Sequence, residues 1–183
     1  MISIDGDTSP SDSVFLLANG LAGNEMLSFN NGKAFQKALN KVCIHLARSM
    51  VRDGEGATKL IEVTVEGATK RAEARQAARA ITSSTLVKTA IHGNDPNWGR
   101  IVVALGQSGA EIVESKLDVY LNNTCVMKQG CPVPFSQEEM RAALTASDNA
   151  LIRVCLNLGD SKAIAWGCDL SEEYVTINSE YTT

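Results

Sequence analysis

The chain has no Cys-x-x-Cys pair, only two histidines, and 5% aromatic residues among 183. Each shortage excludes something. Cys43, Cys125, Cys131, Cys155 and Cys168 make an odd number at irregular spacing, so a disulfide framework is not expected and a reduced, cytoplasmic setting is the simplest reading. His45 and His92 stand at no zinc-ligand spacing to the cysteines, so no metal is expected. No serine or cysteine stands near either histidine in a recognisable nucleophile motif, so a catalytic triad is not supported. No apolar run reaches membrane-spanning length, and the polar, acidic start Met1–Thr8 does not read as a signal peptide. Basic residues are scattered and the formal net charge is −4, so nucleic acid is not an expected partner.

What is present is a mixture of two periodicities. Phe35, Ala38, Leu39, Val42, Leu46 and Met50 recur at helical spacing and predict a helix over 33–52, stopped by Gly54. Ile61, Val63 and Val65 alternate with polar residues and predict a half-buried strand. A second helix is expected over 73–81 and a short strand over 86–91. Asp95-Pro96-Asn97 offers a cap and a fixed φ ahead of a helix from Trp98 to Leu105. Asn122-Asn123 joins two strands as a hairpin, and Ser136-x-x-Glu139 is a capping box opening a helix to Thr145. Strands are expected over 152–158, 163–168 and 174–179. Val14–Ala18 is apolar but too short to assign, and 19–32 reads as a loop. The class is therefore α/β or α+β. The pattern restarts near Ile91–Gly93, which suggests one unit over 1–92 and a second, smaller α+β unit over 93–183.

Four strings stand out. They are Ser3-Ile4-Asp5-Gly6-Asp7-Thr8-Ser9, Asp53-Gly54-Glu55-Gly56-Ala57-Thr58-Lys59, Gly93-Asn94-Asp95-Pro96-Asn97-Trp98-Gly99-Arg100, and the ending Ile177-Asn178-Ser179-Glu180-Tyr181-Thr182-Thr183. Two glycines around Glu55 make a sharp turn after a long helix and present a fixed carboxylate. Taken alone, that pattern is more often a solvated loop. Lys59 reads as structural, with Glu62 within reach as a partner. Asp5-Gly6-Asp7 supplies too few ligands for Mg²⁺ or Ca²⁺ and reads as a packed turn. The segment from Asp95 to Arg100 reads as architectural.

In this order the four strings resemble the glutamate/ornithine N-acetyltransferase family of arginine biosynthesis, over nearly the whole chain. The resemblance implies layered helices over mixed sheets. It implies acetyl transfer from N-acetylornithine to glutamate through an acyl-threonine, with no cofactor; acetyl-CoA serves some members as a donor. It assigns substrate contacts to Glu55, Asn178 and Thr183. It also implies partners: N-acetylornithine and glutamate as small-molecule substrates, an alpha chain and the start of a beta chain lying upstream, and an oligomer, with no membrane.

Family members cut themselves before a threonine that becomes the nucleophile, and its free α-amine serves as base. Ala57-Thr58 and Ala68-Thr69 are each followed by lysine rather than apolar residues and are rejected as that site. The catalytic threonine is therefore expected upstream of Ser3, and the chain by itself is expected to be inactive. Three functional readings stay open: the C-terminal part of a working acetyltransferase, an amino-acid-binding or interaction module, and an inactive truncated fragment that associates through exposed apolar surface.

Overall fold

A computed structural model describes residues 1–9 and 11–180. The strands form one mixed sheet. In chain order they are β1 (Ile2–Ser3), β2 (Leu60–Ala68), β3 (Asp118–Leu121), β4 (Thr124–Lys128), β5 (Cys131–Pro132), β6 (Asn149–Cys155) and β7 (Ser161–Cys168), arranged as β1-β7-β2-β6-β3-β4-β5. β2 lies at the centre of the packing. It runs parallel to β6, with Val63 opposite Ile152, and antiparallel to β7, with Val63 opposite Ala165. The strand from the first half of the chain is thus hydrogen-bonded on both sides to strands from beyond Gly93, and one sheet spans the break in pattern at Ile91–Gly93.

The helices are α1 (Lys33–Arg52), α2 (Arg71–Ser83), α3 (Thr85–His92), α4 (Trp98–Gly106), α5 (Gln137–Thr145) and α6 (Glu172–Glu180). Alternation in β2 sorts its side chains into two sets. Ile61, Val63 and Val65 enter the main core with Ala74, Ala77, Ala78 and Ile81 of α2, Val87 and Ile91 of α3, and Ile101 and Leu105 of α4. The small side chains of α2 let it approach the sheet closely. Leu60 points the other way and joins Val51 of α1 and Cys168 in a second, small cluster.

The hairpin between β3 and β4 forms as expected, because Asn122 and Asn123 both take the left-handed conformation (φ 45° and 68°) that a two-residue turn of this kind demands. The serine cap of α5 is present too, with the Ser136 hydroxyl accepting from the Glu139 amide at 3.2 Å. Two expected strands are helices instead. Residues 86–91 belong to α3, where Val87, Lys88, Ala90 and Ile91 are buried at helical spacing and the Ser84 side chain caps the start. Residues 174–179 belong to α6, whose partly buried Tyr174 and Ile177 are three residues apart on one face. Six residues of apparent alternation fit either period, and a serine cap decided both cases: the Ser171 hydroxyl also accepts from the Tyr174 amide, at 3.4 Å.

The apolar stripe of α1 is present but only Val51 is buried; Phe35, Val42, Leu46 and Met50 are exposed. Val14–Ala18 takes no regular structure and is exposed as well. Among the described residues no helix is long and apolar enough to cross a membrane.

Candidate functional site

The loop between α1 and β2 carries Glu55. Asp53 caps the end of α1, its amide donating to the Ser49 carbonyl at 3.0 Å, and the Gly54 amide returns to Val51 at 3.3 Å. Gly56 then takes φ +65°. A side chain there would meet the Ser171 hydroxyl and the Tyr174 amide, each 2.7 Å from its Cβ, so only glycine lets the loop lie against the start of α6.

This contact brings two residues 123 positions apart together. The Asn178 side-chain amide donates to Glu55 Oε2 at 2.6 Å and to the Tyr174 carbonyl at 2.9 Å. Both Glu55 and Asn178 are exposed. Thr183 lies outside the described residues. The arrangement offers a carboxylate with one oxygen engaged by an amide, open to solvent, and able to pair with a cationic group.

Beneath the pair lies a polar network. The Asp169 carboxylate accepts from the amides of Thr58 and Lys59 at 2.8 Å each, from the Thr58 hydroxyl at 2.5 Å, and faces His92 Nδ1 at 2.8 Å. Burial raises its pKa, but the bonds from Thr58, His92 and Lys59 prevail and hold it below the usual carboxylate range. His92 Nε2 lies 3.2 Å from Glu172 Oε2. A carboxylate only accepts, so both His92 contacts are hydrogen bonds in the imidazolium form. In these contacts the ring bridges the two carboxylates.

Other anchors converge on the same corner. Lys88 is fully buried and donates to the carbonyls of Ile4 and Cys168 at 2.5 and 2.7 Å. Burial lowers its pKa, against the opposing pull of Cys168, Asp169 and Asp5. Asp5 accepts from the Asp7 amide at 2.8 Å and from the Tyr174 hydroxyl at 3.0 Å. Burial and the Asp5 carboxylate push the Tyr174 phenol up to about 12. The acidic turn near the start of the chain therefore packs on α6. Among the described residues no group of three or more His, Cys, Asp or Glu side chains is placed to hold a metal ion.

Lys59 is structural, but not through Glu62. Its ammonium donates to the carbonyls of Leu144 and Ser147 at 2.5 and 3.1 Å, at the end of α5, where helix carbonyls lack partners. Glu62 is taken instead by Trp166 Nε1 at 2.8 Å and Arg48 at 3.6 Å. The segment after His92 is built into the corner between α3 and α4: Asn94 sits at φ 53° and the Asp95 amide donates to Ala90. Arg100 donates to the Leu86 carbonyl at 3.0 Å and to Thr89 at 3.2 Å, with no carboxylate involved. Asn97 precedes α4 without a side-chain cap bond.

The sequence profile of the ArgJ family matches residues 1–183. The chain belongs to the ArgJ family. It is 49% identical over 185 residues to the arginine biosynthesis bifunctional protein ArgJ of Dehalococcoides mccartyi, and 48% identical over 184 residues to that of Bacillus licheniformis. Each comparison covers 100% of this chain and 45% of the relative, so the chain spans a little under half the length of these relatives. The crystal structure of arginine biosynthesis bifunctional protein argJ from Bacillus halodurans superposes with a TM-score of 0.95 at 47% identity, covering 98% of this chain and 85% of that one. The expected α/β class agrees with this likeness and with the mixed sheet described above.

The family resemblance singles out Glu55 and Asn178 in the sequence; composition and periodicity give no reason to pair them. Nothing in the sequence singles out Asp169, Lys88 or Tyr174, and His92 enters it only as a rejected zinc ligand and triad member. Asp169 carries no local signature. It stands one residue past a strand, and only the folded chain brings it to Thr58, 111 residues away.

Proposed function

We propose that this chain is the C-terminal portion of a glutamate N-acetyltransferase, and that Glu55, Asn178 and Thr183 form part of its substrate-binding wall. The observation that carries this reading is the meeting of Glu55 and Asn178 at the surface, in a chain of the ArgJ family. In the reaction, a threonine hydroxyl supplied by the upstream portion attacks the acetyl carbonyl of N-acetylornithine. The C–N bond breaks, and ornithine leaves as the amine, taking up the hydroxyl's proton. The amine of glutamate then attacks the acetyl-threonine ester, giving N-acetylglutamate and restoring the hydroxyl. Glu55 would hold a cationic amino group of the donor, and Asn178 would fix the carboxylate's orientation. The chain works with an upstream alpha chain and the start of a beta chain, within an oligomer in the cytoplasm. No cofactor enters the transfer, and acetyl-CoA is an alternative donor.

Acetyl transfer from N-acetylornithine to glutamate, measured with the chain co-expressed with the upstream portion of an ArgJ relative, tests the reading. Glu55→Gln should raise KM for N-acetylornithine about 10- to 100-fold, the range for losing a hydrogen-bonded charge partner. An unchanged KM would remove Glu55 from the substrate wall. Binding of ornithine without any turnover would favour an amino-acid-binding module, a reading that the exposure of the pair within this one chain also supports.

A further inference from the structure

The Glu55–Asn178 hydrogen bond joins two exposed side chains across 123 residues. Such pairs are ordinarily loose, because ordering two free side chains at a surface costs entropy that the contact barely returns. Here both residues ride on backbone tied to a single buried group. Asp169 is 2% exposed, and its carboxylate is the common acceptor. On the loop side it takes the amides of Thr58 and Lys59 and the Thr58 hydroxyl, three and four residues after Glu55. On the helix side it faces His92, whose other nitrogen reaches Glu172, the first residue of α6. The Ser171 hydroxyl adds a direct bond to the Gly56 carbonyl at 2.7 Å.

We propose that Asp169 is the positioning residue of the substrate wall, fixing the Glu55 loop through Thr58 and Lys59 and the Asn178 helix through His92 and Glu172. Its importance for substrate rests on the reading of Glu55 and Asn178 given above. The two-sided role requires four acceptor positions on one side chain, which only a carboxylate has. An alanine removes all four acceptor positions at once, so Asp169→Ala releases both the loop and the histidine.

Nitrogen-15 NMR of the 183-residue chain tests this without any enzyme assay. In Asp169→Ala the side-chain amide of Asn178 should shift to the position it has in Glu55→Ala, where its acceptor is gone. An Asn178 signal left in place in folded Asp169→Ala would overturn the proposal. Glu172→Ala covers the case in which that variant does not fold, since the Glu172 side chain is 94% exposed and its loss threatens no core. It severs only the helix-side link, and it too should move the Asn178 amide toward the Glu55→Ala position; a fixed signal again contradicts the proposal. In the assembled enzyme, Asp169→Ala should raise KM for N-acetylornithine about tenfold with kcat changed far less, and Asp169→Glu should recover part of that loss. A fall in kcat with KM unchanged would contradict positioning of a binding group. If wild-type assemblies transfer no acetyl group, the functional reading fails, while the Asn178 resonance still decides whether Asp169 positions the pair.

Discussion

Single residues at the site are constrained by neighbours far away in the chain. Gly56 holds φ +65° with α6 pressed against it. Gly56→Ala should destabilise the fold by roughly 1–3 kcal/mol, through backbone strain and the contacts its Cβ would force; urea unfolding measures this, and a loss below about 0.5 kcal/mol would mean that α6 yields freely. Asp118 is a buried carboxylate of a different kind. It accepts from Lys128 at 2.7 Å, the Gln129 amide at 2.9 Å and Asn157 at 3.2 Å. Burial raises its pKa, yet these donors together lower it below the ordinary value. A carboxylate whose folded pKa lies below its unfolded value of about 3.9 stabilises fully above that pH, and the stabilisation fades as pH falls through the folded value. Asp169 follows the same sign. The urea midpoint of the wild-type chain should therefore fall as pH drops below about 4, and Asp118→Asn should flatten that fall. An identical slope in the variant would remove Asp118 as its source.

Elements whose side chains repeat over many residues were legible in the sequence. α1 and β2 follow from their spacing, α2 from its run of Ala and Arg, and the hairpin from Asn122-Asn123 because two left-handed residues in succession admit few alternatives. The serine cap of α5 was legible for a similar reason. Ser136→Ala should cost about 1 kcal/mol of stability, the usual loss for a serine cap, and thermal unfolding reads it directly. α3 and α6 were not legible as helices. Each is short, and over six to eight residues a period of two and a period of 3.6 select overlapping sets of apolar positions. At the site the division is sharper. Glu55 and Asn178 carry a family resemblance, but Asp169, His92 and Lys88 act through contacts 77 to 111 residues apart, which no local pattern encodes.

The whole molecule is unevenly buried. The sheet and α2 to α5 share a continuous core, while α1 contributes Val51 and leaves Phe35, Val42, Leu46 and Met50 in solvent. Val14, Phe15, Leu17, Met26 and Phe29 are exposed beside it in the sequence, and a groove of about 820 Å³ is lined by Leu27, Phe29, Phe35 and Ile44. Apolar surface on this scale favours association. The isolated chain should sediment as more than a monomer at micromolar concentration, and Phe35→Glu together with Leu46→Glu should shift it toward monomer without lowering its melting temperature. Sedimentation velocity separates this from a uniformly monomeric chain, which would mean that the face is tolerated in water. Acetyl transfer from N-acetylornithine to glutamate decides whether Glu55 belongs to a substrate wall completed by an upstream nucleophile. It is best measured for the chain alone, for the chain with the upstream portion of an ArgJ relative, and for that pair carrying Glu55→Gln. The expected result is no transfer by the chain alone, transfer by the pair, and a KM for N-acetylornithine raised about 10- to 100-fold by the substitution. Transfer by the chain alone would contradict it, because the attacking group would then lie among these 183 residues.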